Sequence, residues 1–431
     1  MTTAEAPIHT PDSAAAGIRR ILLGTAFGLL ILIAWVALPF DVPYVGYGLA
    51  SAFLFQVALR PRRWEILGEI FAAAVLVLLD RFVIHSASAT TAHAIASNAS
   101  AIWMSMSCGF LGLTSFAVVG FRAIWADPGE LPEFKSILLP SAGFTVFIMG
   151  SQQMLNLAGL LFPKTADLYA YAFDGSLGFQ PSFVIGRLFQ SHPSIDIAGH
   201  FTYLLLPVPM AAVCAAHLRK KISAPLFMVE VFLCAGLLGY LLYLTFPAAG
   251  PRYVAGPEYP GSPLPLAVLR NWPLQAVPLS WTMARNCMPS LHVAWALLIW
   301  FNCKPFSRVI RRIAFAFVLI TLFDTLGTGE HYLIDLIVAF PFAVGIQALC
   351  ARNLSWRSKI APIAGGFGFC FLWPVALRYG AHIFLLTPLL PWGAILLTIT
   401  ISVWLMNRVL NTATGTAEGS LSEARAVAAG V

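Results

Sequence analysis

Long apolar runs, each broken by a polar connection, recur along nearly the whole chain. An α-helix needs about 20 such residues to cross roughly 30 Å of hydrocarbon, whereas a membrane barrel would show short alternating stretches. The runs predict an all-α, polytopic membrane helical bundle of twelve spans, at 18–40, 44–59, 64–84, 101–122, 136–162, 201–217, 224–246, 289–303, 309–326, 331–350, 361–378 and 384–406. Residues 1–17 are polar and small and are expected to be a disordered cytoplasmic N-terminus. No charged region and cleavage site frame them as a signal peptide. Residues 408–431 are expected to be a cytoplasmic tail.

Arg and Lys set the orientation. Arg19 and Arg20 precede the first span, and basic groups return at Arg60, Arg62 and Arg63, at Arg122 and Lys135, and at Arg219, Lys220 and Lys221. They return again at Lys304, Arg308, Arg311 and Arg312, at Arg352, Arg357 and Lys359, and at Arg408. Every second connection is basic, so the positive-inside rule puts both termini in the cytoplasm. The opposite side receives three long connections, 85–100, 163–200 and 247–288, and loops of that length usually have a function. Aromatic and apolar residues in 163–200, among them Tyr169, Tyr171, Phe173, Phe179 and Phe183, are spaced for one or two amphipathic helices lying on the membrane.

Composition agrees with a bilayer as solvent. The 431 residues are 59% hydrophobic and 10% charged, against roughly 25% charged in a soluble domain. The net charge of +7 sits in loops and reads as a topology signal, with no nucleic-acid patch. The seven cysteines form no CxxC pair. Cys108, Cys214, Cys234, Cys303, Cys350 and Cys370 fall in or beside apolar spans, as packing residues do.

Three clusters fall at span ends on the non-cytoplasmic side. Phe246-Pro-Ala-Ala-Gly-Pro-Arg252-Tyr253 follows the seventh span. Asn286-Cys-Met-Pro-Ser290-Leu-His292 opens the eighth, and Glu330-His331-Tyr332-Leu-Ile-Asp335 opens the tenth. His331 and Asp335, four apart, share a helix face. A carboxylate there can keep one imidazole nitrogen protonated and leave the other as nucleophile or base, or the pair can simply close a helix end. Pro289 suits a first helical turn, Ser290 offers a hydroxyl, and a helix N-terminus attracts anions. His292 adds a titratable donor, or is an ordinary interfacial histidine. Arg252 carries a fork of donors suited to phosphate, or meets lipid headgroups; Arg270 and Arg285 lie in the same loop. Together these groups make an inventory for phosphoryl transfer.

The motifs Phe-Pro-Ala-Ala at 246–249, Met-Pro-Ser-Leu-His at 288–292 and His-Tyr-x-x-Asp-Leu at 331–336 resemble those of the phosphatidic acid phosphatase type 2 superfamily. The chain is most similar to its inositol phosphorylceramide synthase-like branch. The resemblance implies a six-helix phosphatase-type core over 136–351; the four-helix region expected at 18–135 and the two helices expected at 352–407 lie outside it. It implies that His331 attacks phosphorus, Asp335 orients it and His292 protonates the leaving oxygen. Ser290 and Arg252 would hold phosphate oxygens, with Arg285 and Tyr332 as further substrate-binding candidates, and no metal or cofactor would be needed. The pattern departs from the family in three places. No Lys-to-Arg-Pro first motif is present, Leu291 stands where Gly is usual, and Thr325 stands where the third motif has Arg.

The expected protein is a lipid phosphotransferase or phosphatase of the bacterial cell membrane, with its site on the non-cytoplasmic face. Its substrate would be a lipid phosphate or phospholipid, with an alcohol or a lipid as acceptor. A lipid transporter is the reading from another class, but the halves show no internal repeat and the reactive groups cluster at one surface rather than at the midplane. A zinc site from His292, His331, Asp335 and Glu330 would use acceptable ligand types, yet no close paired-histidine motif occurs. Among weaker features, Gln152, Gln153 and Asn156 could touch a headgroup or bond between helices. Asp324 could serve the site or pair with an arginine, and Glu65, Glu69 and Glu230 read as interfacial or interhelical.

Overall fold

Helices account for almost all regular structure in the computed structural model, which describes residues 11–37, 55–56, 58, 61–79, 113–224, 226–271, 273–281 and 283–428. The expected span 44–59 falls almost wholly outside these residues, as do the end of 64–84, the first half of 101–122, connection 85–100 and Cys108. The side chains of Gln152, Gln153 and Asn156 lie outside them too. The described helices are α1 (Pro11–Ala37), α2 (Arg63–Leu79), α3 (Leu113–Trp125), α4 (Leu131–Leu161), α5 (Asp167–Ser176), α6 (Pro181–Ser191), α7 (Pro193–Leu204) and α8 (Pro207–Lys220). They continue with α9 (Phe227–Tyr243), α10 (Pro251–Ala255), α11 (Leu266–Asn271), α12 (Leu291–Asn302), α13 (Arg308–Gly327), α14 (Leu333–Cys350), α15 (Trp356–Phe384) and α16 (Leu389–Ala428). A two-stranded antiparallel ladder pairs β1 (Lys164–Thr165) with β2 (Val277–Pro278).

The chain forms two compact units. The first comprises residues 1–149 and 214–221. Within it, Phe27 of α1 meets Phe121 of α3 edge-on at 5.3 Å. Two of its acids, Glu65 and Glu69, bond between helices, as expected: Glu65 pairs with Arg122 at 3.6 Å, and buried Glu69 accepts the Ser115 hydroxyl at 2.9 Å.

The second unit, residues 150–213 and 222–431, holds all three sequence clusters. Its centre is α14, packed on by α9, α12, α15 and α16. Bare backbone lets α15 approach: a Cβ on Gly366 would lie 2.6 Å from Gly345 N and 2.7 Å from Pro341 O. That is the small-residue crossing typical of membrane helices. Between α12 and α14, Asn302 and Gln347 exchange amide hydrogen bonds of 2.9 and 3.2 Å, so neither meets the apolar interior unpaired. The outer faces of α13, α15 and α16 expose Phe315, Leu319, Phe371, Leu372, Val375, Leu396 and Leu397. Such apolar stripes suit a hydrocarbon solvent.

Among the described residues, Leu333–Cys350, Trp356–Phe384 and Leu389–Asn411 are long and apolar enough to cross a membrane, and Pro193–Tyr203 with Pro207–Lys220, bent by 45°, would add a fourth. The expected spans at 224–246 and 289–303 appear as shorter apolar helices of 17 and 12 residues. The one expected at 309–326 is α13, which carries Arg311, Arg312 and Asp324. The count of twelve is thus not established by the described residues.

Connection 163–200 departs from the expectation. It holds three helices rather than one or two, and α5 is an internal element. Phe173 is fully buried against Trp373 and Phe384, at ring distances of 5.2 and 4.9 Å. Tyr171 and Phe183 are buried as well, while Phe179 is exposed.

The orientation read from Arg and Lys has a direct test. Exposed Glu258 and Lys220 fall in connections assigned to opposite sides. In intact cells, a membrane-impermeant maleimide is expected to label Glu258→Cys and to miss Lys220→Cys; the reverse pattern would invert the topology.

Candidate active site

The third cluster closes the gap between α13 and α14. Helix α14 begins at Leu333 with Tyr332 as its N-cap, so His331 lies just outside the helix. The His331–Asp335 pair therefore forms differently from two residues on one continuous helical face. Asp335, in the first turn, reaches back. One of its oxygens, Oδ2, accepts the Tyr332 N–H at 2.8 Å and stands 3.6 Å from His331 Nδ1. Both side chains are buried. The other imidazole nitrogen, Nε2, lies 3.2 Å from Ser290 Oγ.

Ser290 is the N-cap of α12, but its hydroxyl makes no capping bond. It is spent on His331 instead, so the first N–H groups of α12 have no side-chain cap. Pro289 precedes the helix, rather than sitting in its first turn as the sequence suggests. The two helix starts are pinned together, since the Ser290 N–H donates to the Asp335 carbonyl at 3.1 Å.

Two further buried carboxylates hold this arrangement. Asp174, on α5, accepts the N–H groups of Leu333 and Ile334 at 2.7 and 3.3 Å, capping α14 from a separate element. Burial pushes its carboxyl well above the usual range, while the Leu333 N–H bond opposes that shift. Asp167, at the start of α5, accepts the N–H groups of Ala249 and Gly250 at 3.1 and 2.8 Å, and the Tyr332 hydroxyl at 3.1 Å. Burial raises its carboxyl as well. The Phe-Pro-Ala-Ala-Gly turn is thereby tied to the third cluster. Gly250 is required there: its φ is +111°, and a Cβ would lie 2.5 Å from Glu330 O.

The remaining expected residues divide. Arg252 is half exposed and pairs with Glu330 at 3.7 Å, next to His331. His292 stacks on Tyr203 of α7 at 3.7 Å and meets Trp295 edge-on. Arg285 and Tyr332 direct their polar atoms to other parts of the protein. Arg285 is fully buried and donates to four main-chain carbonyls, of Phe162, Leu279, Ser280 and Met283, at 2.6–3.2 Å. Desolvation lowers its affinity for its proton. The Tyr332 hydroxyl is committed to Asp167. Thr325, where the resemblance leads one to expect arginine, bonds among the described residues to carbonyls of its own helix, at 2.9 and 3.1 Å. Asp324 is buried and finds no hydrogen-bond partner for either oxygen among the described residues.

Sequence reasoning passed over Asp167, Asp174 and Cys287. The two acids carried a signal: they stand seven apart, two helical turns, on the same face of an aromatic segment. Cys287 donates its thiol to the Glu330 carbonyl at 3.2 Å, and burial raises its pKa well above the usual thiol range. Among the described residues, Cys287, His331 and Asp335 form the group with ligand atoms arranged for a metal, all within 4.8 Å of one another.

Asp174→Ala would leave two buried N–H groups bare, at about 1–3 kcal/mol each. A fall in melting temperature and loss of turnover are expected, with Asp174→Asn, which keeps an acceptor oxygen, milder in both. A variant as stable as the wild type would remove Asp174 from this role.

No curated protein and no solved structure matches the chain. Residues 169–349 match the family model of the PAP2 superfamily. The matched segment begins on α5, ends on α14 and contains Asp174, Ser290, His331 and Asp335, with Asp167 two residues before it, so the comparison supports PAP2 superfamily membership for this part of the chain.

Proposed function

We propose that this protein is an integral membrane enzyme that hydrolyses or transfers the phosphate or phospho-headgroup of a lipid at the non-cytoplasmic face, through a phosphohistidine on His331. The observation that carries the reading is the buried relay in which Asp335 lies 3.6 Å from His331 Nδ1 and Ser290 Oγ lies 3.2 Å from Nε2. The family match supports a phosphatase or phosphotransferase type of activity.

A neutral imidazole carries one proton. Asp335 favours it at Nδ1, which leaves the Nε2 lone pair directed toward Ser290. Nε2 attacks phosphorus, the P–N bond forms as the P–O bond to the leaving group breaks, and His292 gives that oxygen a proton. In the second step a hydroxyl attacks the phosphohistidine and passes its proton to His292. The P–N bond then breaks and its electron pair returns to Nε2. Ser290, Arg252 and the first N–H groups of α12 face the phosphate oxygens.

Purified protein given a panel of phosphate-labelled lipids is expected to form an acid-labile, alkali-stable phosphoenzyme and to turn over in EDTA. His331→Ala is expected to abolish the phosphoenzyme and to lower turnover on the order of 10⁴-fold, with Asp335→Asn falling comparably. Turnover within about tenfold of wild type in His331→Ala would eliminate the mechanism. Loss in EDTA with rescue by zinc or magnesium would favour metal chemistry.

The second half-reaction accepts whatever hydroxyl reaches the intermediate, so a transferase must hold its acceptor near enough to outcompete water. Transfer to an added alcohol, such as inositol, glycerol or a ceramide, is expected to match or exceed hydrolysis. Free phosphate or free phospho-headgroup as the sole product with every acceptor would leave a simple lipid or polyprenyl phosphate phosphatase, or a phospholipase.

A further inference from the structure

We propose that Cys287, His331 and Asp335 form a zinc-binding site that holds the enzyme inactive. One sulfur, one imidazole nitrogen and one carboxylate oxygen converge within 4.8 Å, and all three residues are buried. Among the described residues, His331 Nδ1 and Asp335 Oδ1 make no hydrogen bond of ordinary length, and Nδ1 stands 3.6 Å from the other Asp335 oxygen. Buried polar atoms are rarely left so, and each such exception calls for an explanation. Oδ1 is available for coordination because Oδ2 carries the Tyr332 N–H, so a metal need not loosen the helix cap. Cys287 is held in place from its backbone, with its N–H on the Ala248 carbonyl at 3.2 Å.

The donor set selects the ion. Magnesium and calcium require oxygen ligands, whereas sulfur, nitrogen and oxygen together suit zinc, with water completing a tetrahedron. On binding, the Cys287 thiol releases its proton to solvent and the Nδ1 lone pair goes to the metal. The single proton of the neutral imidazole then resides on Nε2, the atom facing Ser290 at 3.2 Å. Nε2 has no lone pair left, and Asp335 no longer orients the ring. Binding follows from the cluster alone; the inhibition rests on the phosphohistidine reading.

The test uses the full-length protein in detergent or nanodiscs, with Co²⁺ as the spectroscopic probe and Zn²⁺ as competitor. Wild type is expected to show a thiolate-to-cobalt charge-transfer band that Zn²⁺ removes. The band should be absent in both Cys287→Ser and Cys287→Ala, and weakened in His331→Gln. In the activity assay, each variant is compared with itself in EDTA. Zn²⁺ should inhibit wild type, and the inhibitory concentration should rise by at least about tenfold in Cys287→Ser. No band in wild type, or a band that persists without Cys287, would overturn the site. A Cys287-dependent band with undiminished turnover would overturn the inhibition. A Cys287-dependent band in a protein that turns over no phosphorylated lipid would retain the site and sink the functional reading instead.

Discussion

Everything at the site depends on buried carboxylates accepting main-chain N–H groups. In an apolar interior each helix start presents donors that water cannot reach, and an unmet donor costs several kcal/mol in hydrocarbon. Helix α14 meets its own with protein anions. Asp335 takes the Tyr332 N–H, and Asp174 takes those of Leu333 and Ile334. Asp167 does the same for the turn at Ala249 and Gly250. These bonds fix where His331 stands relative to Ser290, and they do so from elements far apart in sequence.

The consequence is a division of labour between two adjacent helix starts. Helix α14 is capped by carboxylates and is closed to any outside anion. Helix α12 has Ser290 at its N-cap, with the hydroxyl turned to His331 rather than to its own backbone. Its first N–H groups therefore keep their partial positive charge for a ligand. In the proposed mechanism, His331 at the closed start would act as nucleophile across the Ser290–His331 contact from the uncapped start of α12, an arrangement that suits phosphoryl transfer.

The apolar period and the three clusters were enough to place His331, Asp335 and Ser290 together, because each cluster sits at the end of an apolar run. The bundle's solvent was legible for the same reason, whereas the centrality of α14 was not. What stayed hidden is informative. Asp167 and Asp174 look like surface acids in an aromatic connection, and only their spacing hints at a common face. Arg285 reads as a phosphate ligand because its sequence position is right. Its actual partners are four main-chain carbonyls, and no pattern in side-chain chemistry reveals those. Cys287 was passed over among the scattered cysteines although it lies three residues before Ser290 in the second cluster, because a lone cysteine with no CxxC partner carries no ligand pattern.

The arginines bear on which phosphate the site suits. The position where the family carries a third-motif arginine is Thr325, bonded to its own helix, and Arg285 is consumed by the loop. Arg252 remains, and it is already paired with Glu330 at 3.7 Å. A phosphate that engages Arg252 must compete with that carboxylate and then lie near it. The cost of doing so rises with the charge on the phosphate, since like charges in a poorly hydrated site repel strongly. A phosphate monoester brings close to two negative charges at neutral pH, whereas a diester brings one. A cradle with one partly neutralised guanidinium and a helix start therefore suits the diester better, and a phospholipid headgroup bond is a phosphodiester. On the proposed reading, this charge balance favours a donor cleaved between headgroup phosphate and lipid over a simple lipid monophosphate.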